Sequence, residues 1–146
     1  MITVRVSEAD FDAGAELDCL AGEGVGGIAT FIGVVRGDDG LKTLTLEHYP
    51  AMTQRTLMAL AETAVARWNL THATIIHRVG TMTPGARIVF VGTASPHRAA
   101  ALDACAYLID RLKTDAPFWK RECFENGPEK WVDAREADNL SAARWG

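Results

Sequence analysis

The sequence predicts an α+β fold in which most strands pair antiparallel. Segments of alternating hydrophobicity, which are typical of strands, follow one another through short turns, and two long segments with helical spacing interrupt them. A doubly wound parallel sheet would instead alternate strand and helix throughout. The chain of 146 residues is 48% hydrophobic, which is enough to bury a core without disulfides or metals. We therefore expect one domain over residues 1–146.

The first half of the chain is predicted to contain three strands and two helices. Ser7 is a suitable cap for the first helix, and the glycine-rich run after residue 20 is expected to end it. Pro50 is well placed at the start of the second helix. The polar sequence Arg-Gly-Asp-Asp-Gly separates two of the strands and is expected to be a mobile loop. The predicted elements are a strand over 2–6, a helix over 8–20, a strand over 25–36, a strand over 41–48 and a helix over 50–68.

The second half is predicted to contain four strands and a long helix. A Thr-Pro-Gly sequence at 83–85 is a turn signature, and Pro117 enforces the end of the helix before it. The tail from Glu136 onward is weakly helical. In the long helix, Tyr107 is expected on the polar face, while Ala101 and Leu108 belong to the apolar face. The predicted elements are strands over 73–79 and 87–93, a helix over 96–114, and strands over 118–124 and 130–132.

Composition excludes several classes of function. The formal net charge of −4 argues against a general nucleic-acid or anionic membrane partner. No apolar run approaches the roughly 20 residues of a membrane span, and the N-terminal sequence reads as a strand rather than a signal peptide. Three widely spaced cysteines fit reduced thiols and hence a cytoplasmic protein. No ligand spacing for a metal occurs, so no metal is expected.

The most informative local feature is a concentration of cations in an acidic chain. Lys113 and Lys120 flank the sequence Thr-Asp-Ala-Pro-Phe-Trp, and Arg111 and Arg121 lie close by. A lysine held against apolar surface, with a second cation nearby, is shifted toward its neutral and nucleophilic form. That combination suits covalent catalysis at a carbonyl-like centre or the binding of an oxyanion. A solvated basic turn after a helix gives the same pattern.

A second candidate site lies at the start of the same helix. Ser95 and Pro96 are favourable at a helix N-terminus, so His97 and Arg98 are expected to project beside free backbone N–H groups, where anions bind. A capped helix with two surface cations is the alternative. Arg98 and Lys113 are fifteen residues apart, or about 22 Å along a straight helix. If both belong to one site, a dimer in which each protomer supplies one end is the simplest arrangement.

Five motifs occur in an order that resembles a known family. They are Thr-Phe-Ile-Gly-Val-Val-Arg at 30–36, Leu-Glu-His-Tyr-Pro-Ala-Met at 46–52, Ile-His-Arg-Val-Gly at 76–80, Ser-Pro-His-Arg at 95–98, and Leu-Lys-Thr-Asp-Ala-Pro-Phe-Trp-Lys-Arg-Glu at 112–122. Together they resemble the catalytic large subunit of molybdopterin synthase, from about residue 25 to residue 135. The resemblance implies an α/β hammerhead fold with an additional antiparallel β-sheet.

The resemblance also implies a function and partners. Large subunits of this family form a homodimer, and each binds a small ubiquitin-like sulfur carrier, giving a heterotetramer. The thiocarboxylate at the carrier's Gly-Gly C-terminus donates sulfur to cyclic pyranopterin monophosphate, which receives two sulfurs and becomes the dithiolene molybdopterin. No resident cofactor is implied, because molybdenum enters at a later step. This chain ends in Arg-Trp-Gly, so it is similar to the acceptor of the sulfur and not to the carrier.

Site residues follow from the motif positions. Lys113 and Lys120 match the family's two catalytic lysines. One departure concerns Val34, which stands where some relatives have a cation, so the loop after it is a weaker phosphate contact. The positions that the resemblance assigns to substrate binding are Arg36, His97, Arg98, Arg121, Glu122, Arg135 and Phe31.

Two other classes of function are compatible with the residues themselves. A Schiff-base lyase or aldolase acting on a phosphorylated sugar would also use a lysine beside cations. A non-enzymatic scaffold that binds a ubiquitin-like tail would retain the basic surface without catalysis. Borohydride trapping would identify the first, and carrier binding without activity would identify the second.

Overall fold

The computed structural model describes residues 1–127, 129–132 and 136–145, which form two four-stranded sheets and four α-helices. This architecture confirms the α+β prediction, including the helical tail. The elements in chain order are β1 (Ile2–Ser7), α1 (Ala13–Leu20), β2 (Gly27–Val34), β3 (Leu41–His48), α2 (Pro50–Trp68), β4 (His72–Arg78), β5 (Gly80–Met82), β6 (Arg87–Ser95), α3 (Arg98–Asp115), β7 (Phe118–Phe124), β8 (Lys130–Val132) and α4 (Glu136–Ala143).

The first sheet, sheet A, has the strand order β1-β4-β6-β2. Its β1–β4 pair is parallel, and β4 with β6 and β6 with β2 are antiparallel, so the expectation of largely antiparallel pairing is confirmed. Alternate residues on its central strands point to opposite faces. Ile75 and Val91 face the main core with α2 and α3, whereas Ile76 and Phe90 face a smaller core with α1. Both faces of sheet A are therefore covered.

The second sheet, sheet B, has the order β5-β3-β7-β8 and is antiparallel throughout. Leu44 and Leu46 are buried on one face of β3 and form a third small core with Met82 and Val35. This confirms the alternation predicted for residues 41–48. The other face of sheet B carries polar and exposed aromatic side chains, which matters for the site described below.

The start of α1 differs from the prediction. Ser7 is the last residue of β1, and α1 begins at Ala13 rather than near residue 8. Its cap is Asp12, whose carboxylate accepts a hydrogen bond from the backbone N–H of Ala15 at 3.1 Å. Aspartate accepts a hydrogen bond from a free N–H of the first turn as well as serine does. Residue type alone therefore did not indicate whether Ser7 or Asp12 caps α1.

Two other local predictions also need correction. The strand β5 was not predicted, because a strand of three residues is too short to show alternation. The polar loop at 36–40 contains a 3-10 turn at Asp38–Gly40, and its mobility stays a prediction. The strand predicted over 25–36 forms only over Gly27–Val34.

The long helix α3 begins at Arg98, with His97 and not Ser95 at the cap position. Tyr107, expected on its polar face, is buried instead. The ring of Tyr107 packs against Trp68 of α2 at 5.2 Å and against Trp145, which follows α4, at 5.7 Å. Trp145 is fixed in turn by a 2.6 Å hydrogen bond from its indole Nε1 to Asp110. Packing by a distant part of the chain thus buries a side chain that helical periodicity places outside.

Candidate active site

The two lysines lie on either side of a tight reversal between α3 and β7. Lys113 is in the last turn of α3, and Lys120 is the third residue of β7. Pro117 interrupts the helix, and the backbone N–H of Phe118 donates to Ala116 O at 2.8 Å. Both lysine side chains are exposed, and Lys113 has no hydrogen bond or ion pair with the residues that the structure describes. The reversal therefore presents two cations from different elements on one side of the molecule.

A buried histidine lies near both lysines. His77, at the end of β4, stacks on Phe118 with 4.0 Å between ring centroids, and its Nδ1 donates to Arg78 O at 2.8 Å. Burial is the main cause that lowers its pKa from 6.5 to about 4; the hydrogen bond to Arg78 opposes this change, and the charges of Lys120, Lys113 and His48 add to it. At neutral pH the lysine pair therefore adjoins an uncharged imidazole. The prediction that His77 is a hydrogen-bonded structural histidine is confirmed. Its proximity to the two lysines was not predicted.

His48 occupies the end of β3 on the same side. The hydroxyl of Thr53 donates to Tyr49 O at 2.9 Å, so its oxygen is free to accept a hydrogen bond from His48 Nδ1 at 3.0 Å. The ring of His48 lies 6.0 Å from that of Phe118. His48 and His77 thus flank the first residue of β7 and help to hold that strand in place.

The register of β7 separates its two adjacent cations. Lys120 pairs with Leu46 of β3, whereas Arg121 pairs with Thr45, and neighbouring strand residues point to opposite faces. Glu122 shares the face of Lys120. Arg121 lies on the outer face, where it forms ion pairs of 3.6 Å with both Glu47 and Glu129. Within one chain, therefore, Lys120 and Glu122 are brought together and Arg121 is directed elsewhere.

The predicted anion site is at the opposite end of α3. His97 and Arg98 are exposed, and among the described residues neither side chain has a hydrogen bond or ion pair. The backbone N–H of His97 donates to the hydroxyl of Ser95 at 3.2 Å. Because α3 is a continuous helix from Arg98 to Asp115, Arg98 lies about 22 Å from Lys113. A single chain does not bring these two clusters into one site.

Arg36 belongs to the lysine end. It follows β2, which pairs antiparallel with β6, and α3 returns across the sheet after β6. The exposed Arg36 side chain forms an ion pair of 3.4 Å with Asp38. Phe31, in contrast, packs against the main core. Arg135, also predicted to bind substrate, lies outside the described residues.

Within the described ranges, no group of three or more His, Cys, Asp or Glu side chains is arranged to hold a metal ion. In the same ranges, no helix is both long and apolar enough to cross a membrane.

Comparisons with a family model, with known proteins and with solved structures give consistent results. The family model described as MoaE protein matches residues 6–115. The molybdopterin synthase catalytic subunit of Ralstonia nicotianae is 48% identical over an alignment that covers 100% of this chain and 85% of the relative. The structure of molybdopterin cofactor biosynthesis protein E from Burkholderia multivorans superposes with a TM-score of 0.85 at 45% identity, covering 99% of this chain and 97% of that one.

A more distant structure shows the same fold. It is a complex of subunits 1 and 2 of the molybdopterin-converting factor from Helicobacter pylori, with a TM-score of 0.69 at 22% identity over 92% of this chain and 90% of that one. The family match and the near full-length identity together establish that this chain belongs to the MoaE protein family.

Proposed function

We propose that this chain is the catalytic subunit of a molybdopterin synthase and acts in molybdenum cofactor biosynthesis. Its substrate is cyclic pyranopterin monophosphate, and the sulfur donor is the C-terminal thiocarboxylate of a small ubiquitin-like carrier. The observation that carries this proposal is the pair of exposed lysines, Lys113 and Lys120, set beside the buried neutral His77. Membership of the MoaE family supports it.

The proposed reaction transfers sulfur in two equivalent rounds. The carrier's thiocarboxylate sulfur forms a bond to a carbon of the substrate side chain while a carbon–oxygen bond at that carbon breaks, which produces a thioester between carrier and substrate. The oxygen leaves with the electron pair of the broken bond and takes up a proton, so no oxidant or reductant is needed. Water then cleaves the acyl carbon–sulfur bond, so that sulfur stays on the substrate and the carrier leaves as a carboxylate. A second carrier repeats the sequence. Lys113 acts as nucleophile or general base, and Lys120 stabilises the negative charge that develops on oxygen.

The remaining cations are proposed to bind the substrate phosphate. Arg36 lies at the lysine end of α3, whereas His97 and Arg98 lie about 22 Å away at the other end. A homodimer in which one protomer supplies His97 and Arg98 to the lysines of its partner would assemble the complete set. Arg121, Glu122, Arg135 and Phe31 remain proposed substrate contacts, and Arg121 would also have to act from the outer face of sheet B.

The carrier is the proposed macromolecular partner. With one carrier bound to each large subunit, the assembly is a heterotetramer. The two-subunit complex from Helicobacter pylori, which shares the fold of this chain, supports a second subunit of this kind. The carrier's extended tail would place its sulfur beside Lys113.

The test is product formation from cyclic pyranopterin monophosphate and thiocarboxylated carrier. We expect the Lys113→Ala variant to lose at least about a hundredfold in activity, because a group that acts directly on the reacting atoms is removed. The matched control is Lys42→Ala, which removes an exposed lysine of β3 outside the proposed site and should retain activity. A folded wild-type protein that binds carrier but forms no product would contradict the proposal and favour a scaffold.

A further inference from the structure

Lys113 has two carboxylates close to it on its own helix. Asp110 precedes it by three residues, and Asp115 follows it by two. In a helix, side chains three residues apart are neighbours, and a long side chain leans back toward the N-terminus, so the Lys113 ammonium can reach the Asp110 carboxylate. Residues two apart do not face each other. Asp110 is therefore the carboxylate of α3 that could form an ion pair with Lys113.

The structure shows Asp110 bound to other groups instead. The indole Nε1 of Trp145 donates to Asp110 Oδ2 at 2.6 Å, and a guanidinium nitrogen of Arg144 lies 3.1 Å from the same oxygen. The Asp110 side chain is only 14% exposed as a result of this packing. Lys113, one turn further along α3, has neither a hydrogen bond nor an ion pair with the residues that the structure describes. The carboxylate within reach of the lysine is thus engaged elsewhere.

The segment after α4 holds Trp145 in place by contacts that do not involve Asp110. The indole ring meets Trp68 and Tyr107 edge to face, with 5.6 Å and 5.7 Å between ring centroids. The guanidinium of Arg67 lies 5.6 Å from the centre of the same ring and donates to Trp145 O at 3.3 Å. Edge-to-face packing fixes the plane of the indole and hence the direction of its N–H. The donor to Asp110 is therefore positioned by α2 and α3 in advance.

The other groups around Lys113 leave Asp110 as the decisive one. The titratable side chains that the end of α3 and the neighbouring strands present here are Arg111, Asp115, Lys120 and His77. Arg111 and Asp115 form an ion pair of 3.5 Å with each other, and burial keeps the His77 ring uncharged. A lysine amine is nucleophilic and basic only without its proton, and an adjacent carboxylate favours the protonated form. A free Asp110 would hold the proton on Lys113.

Building on the proposed function, we propose that Trp145 and Arg144 are positioning residues for the reaction, which engage Asp110 so that Lys113 stays unpaired and available. Both roles proposed for Lys113, nucleophile and general base, need the neutral amine, so both depend on this arrangement. Trp145 and Arg144 act through Asp110 and not on the reacting atoms. An ion pair at a helix surface changes an equilibrium by about two- to fivefold, which sets the size of the effect.

The test measures the reactivity of the Lys113 amine directly, by trace acetylation with acetic anhydride at pH 8 and mass spectrometry of the peptide that contains it. Trp145→Phe combined with Arg144→Gln removes both contacts with Asp110 and keeps an aromatic ring at position 145. Relative to the exposed Lys42 as internal reference, we expect Lys113 to be acetylated about threefold more slowly than in wild type. Adding Asp110→Asn removes the freed carboxylate and should restore the rate. In the synthase assay kcat should fall and recover in parallel, with the KM for the pyranopterin unchanged.

Arg67→Gln is the matched control. It removes the cation that lies 4.6 Å from the centre of the Trp68 ring and the hydrogen bond to Trp145 O, but it leaves both contacts of Asp110 in place. It therefore loosens the same segment without freeing the carboxylate, and the acetylation of Lys113 should stay as in wild type. Urea unfolding of every variant establishes that it is folded under the labelling conditions.

Several outcomes would overturn the inference. Unchanged acetylation in the folded double variant would do so, and so would a slower reaction that Asp110→Asn does not restore, because lost packing would then be the cause. Arg144→Gln alone, at a side chain that is 57% exposed, keeps the aromatic packing, and it should slow acetylation by about twofold even if the double variant does not fold. A synthase-active wild type without these effects would refute this inference alone. The expected acetylation pattern in a wild type that makes no product would refute the proposed function but leave the role of Asp110 intact.

Discussion

The two ends of α3 both carry cations, but they are built differently. At its N-terminal end, backbone packs on backbone: a Cβ added to Gly26 would lie 2.1 Å from Pro96 O. The buried hydroxyl of Thr93 also donates to Ala101 O at 2.6 Å in the first turn. At its C-terminal end, the side chain of Lys113 is exposed, and the neutral His77 is buried nearby. A rigid end suits the binding of a phosphate, whereas an end bordered by an uncharged ring suits a lysine that must react.

The largest expected effect tests whether the two ends work together across a dimer. Lys113→Ala and Arg98→Ala are each expected to be nearly inactive as pure proteins. When they are mixed and re-equilibrated, each hybrid dimer contains one site with both wild-type residues, so activity should recover to about a quarter of wild type. The measurement is product formation from the mixture, compared with each variant alone.

The control for this experiment is a mixture of Lys113→Ala with Lys120→Ala. Both lysines lie at the same end of α3, so one protomer would supply both of them to a given site. Each site of a hybrid dimer would then lack one lysine, and activity should not recover. Recovery in this control, or no recovery in the first mixture despite proven hybrid formation, would show that the ends do not combine across protomers.

The next effect concerns the buried histidine of the lysine end. The pKa of His77 is about 4 in the folded protein and about 6.5 when unfolded, so between these values only the unfolded chain binds the proton. Stability is therefore complete above pH 6.5 and falls by up to about 3 kcal/mol as the pH is lowered toward 4. We expect His77→Phe, which retains a ring against Phe118, to lose most of this dependence.

Urea unfolding of both proteins between pH 7 and pH 4 measures this difference. His97→Phe serves as the matched variant, because His97 is exposed at the other end of α3 and should leave the pH dependence as in wild type. The pKa of His72 is also lowered, mainly by burial, and His72 contributes the same slope to all three proteins. Equal slopes in wild type and His77→Phe would show that His77 is not held neutral by the fold.

The smallest expected effect tests how tightly the backbone packs at the N-terminal end of α3. Gly26→Ala should force β2 away from the Pro96 carbonyl and lower the free energy of unfolding by about 2–3 kcal/mol. Gly22→Ala is the control, because a Cβ there meets no atom within 4 Å. Thermal and urea unfolding of the two variants check the prediction. A Gly26→Ala protein as stable as wild type would mean that the backbone at this end of α3 can shift at little cost in free energy.

Sequence reasoning predicted the parts of the fold that periodicity encodes. The alternation in β3 and the apolar stripe of α3 were readable because each repeats over many residues. Tyr107 was misplaced because a distant residue, Trp145, covers it, and β5 was missed because three residues carry no period. The basic clusters were visible as motifs. The proximity of His77 to the lysines was not, because it depends on packing between β4 and β7, which local patterns do not specify.

Because Lys120 and Arg121 point to opposite faces of sheet B, the face that each cation occupies depends on the number of residues between α3 and β7. Strand side chains alternate with a period of two, so inserting or deleting one residue before Phe118 would exchange the faces of these cations if β7 kept its pairing with β3. The lysine would then lie on the outer face of sheet B, and the arginine would take its place on the opposite face. A change of one residue in the length of this turn would thus exchange the cations of two surfaces, whatever the composition of the turn.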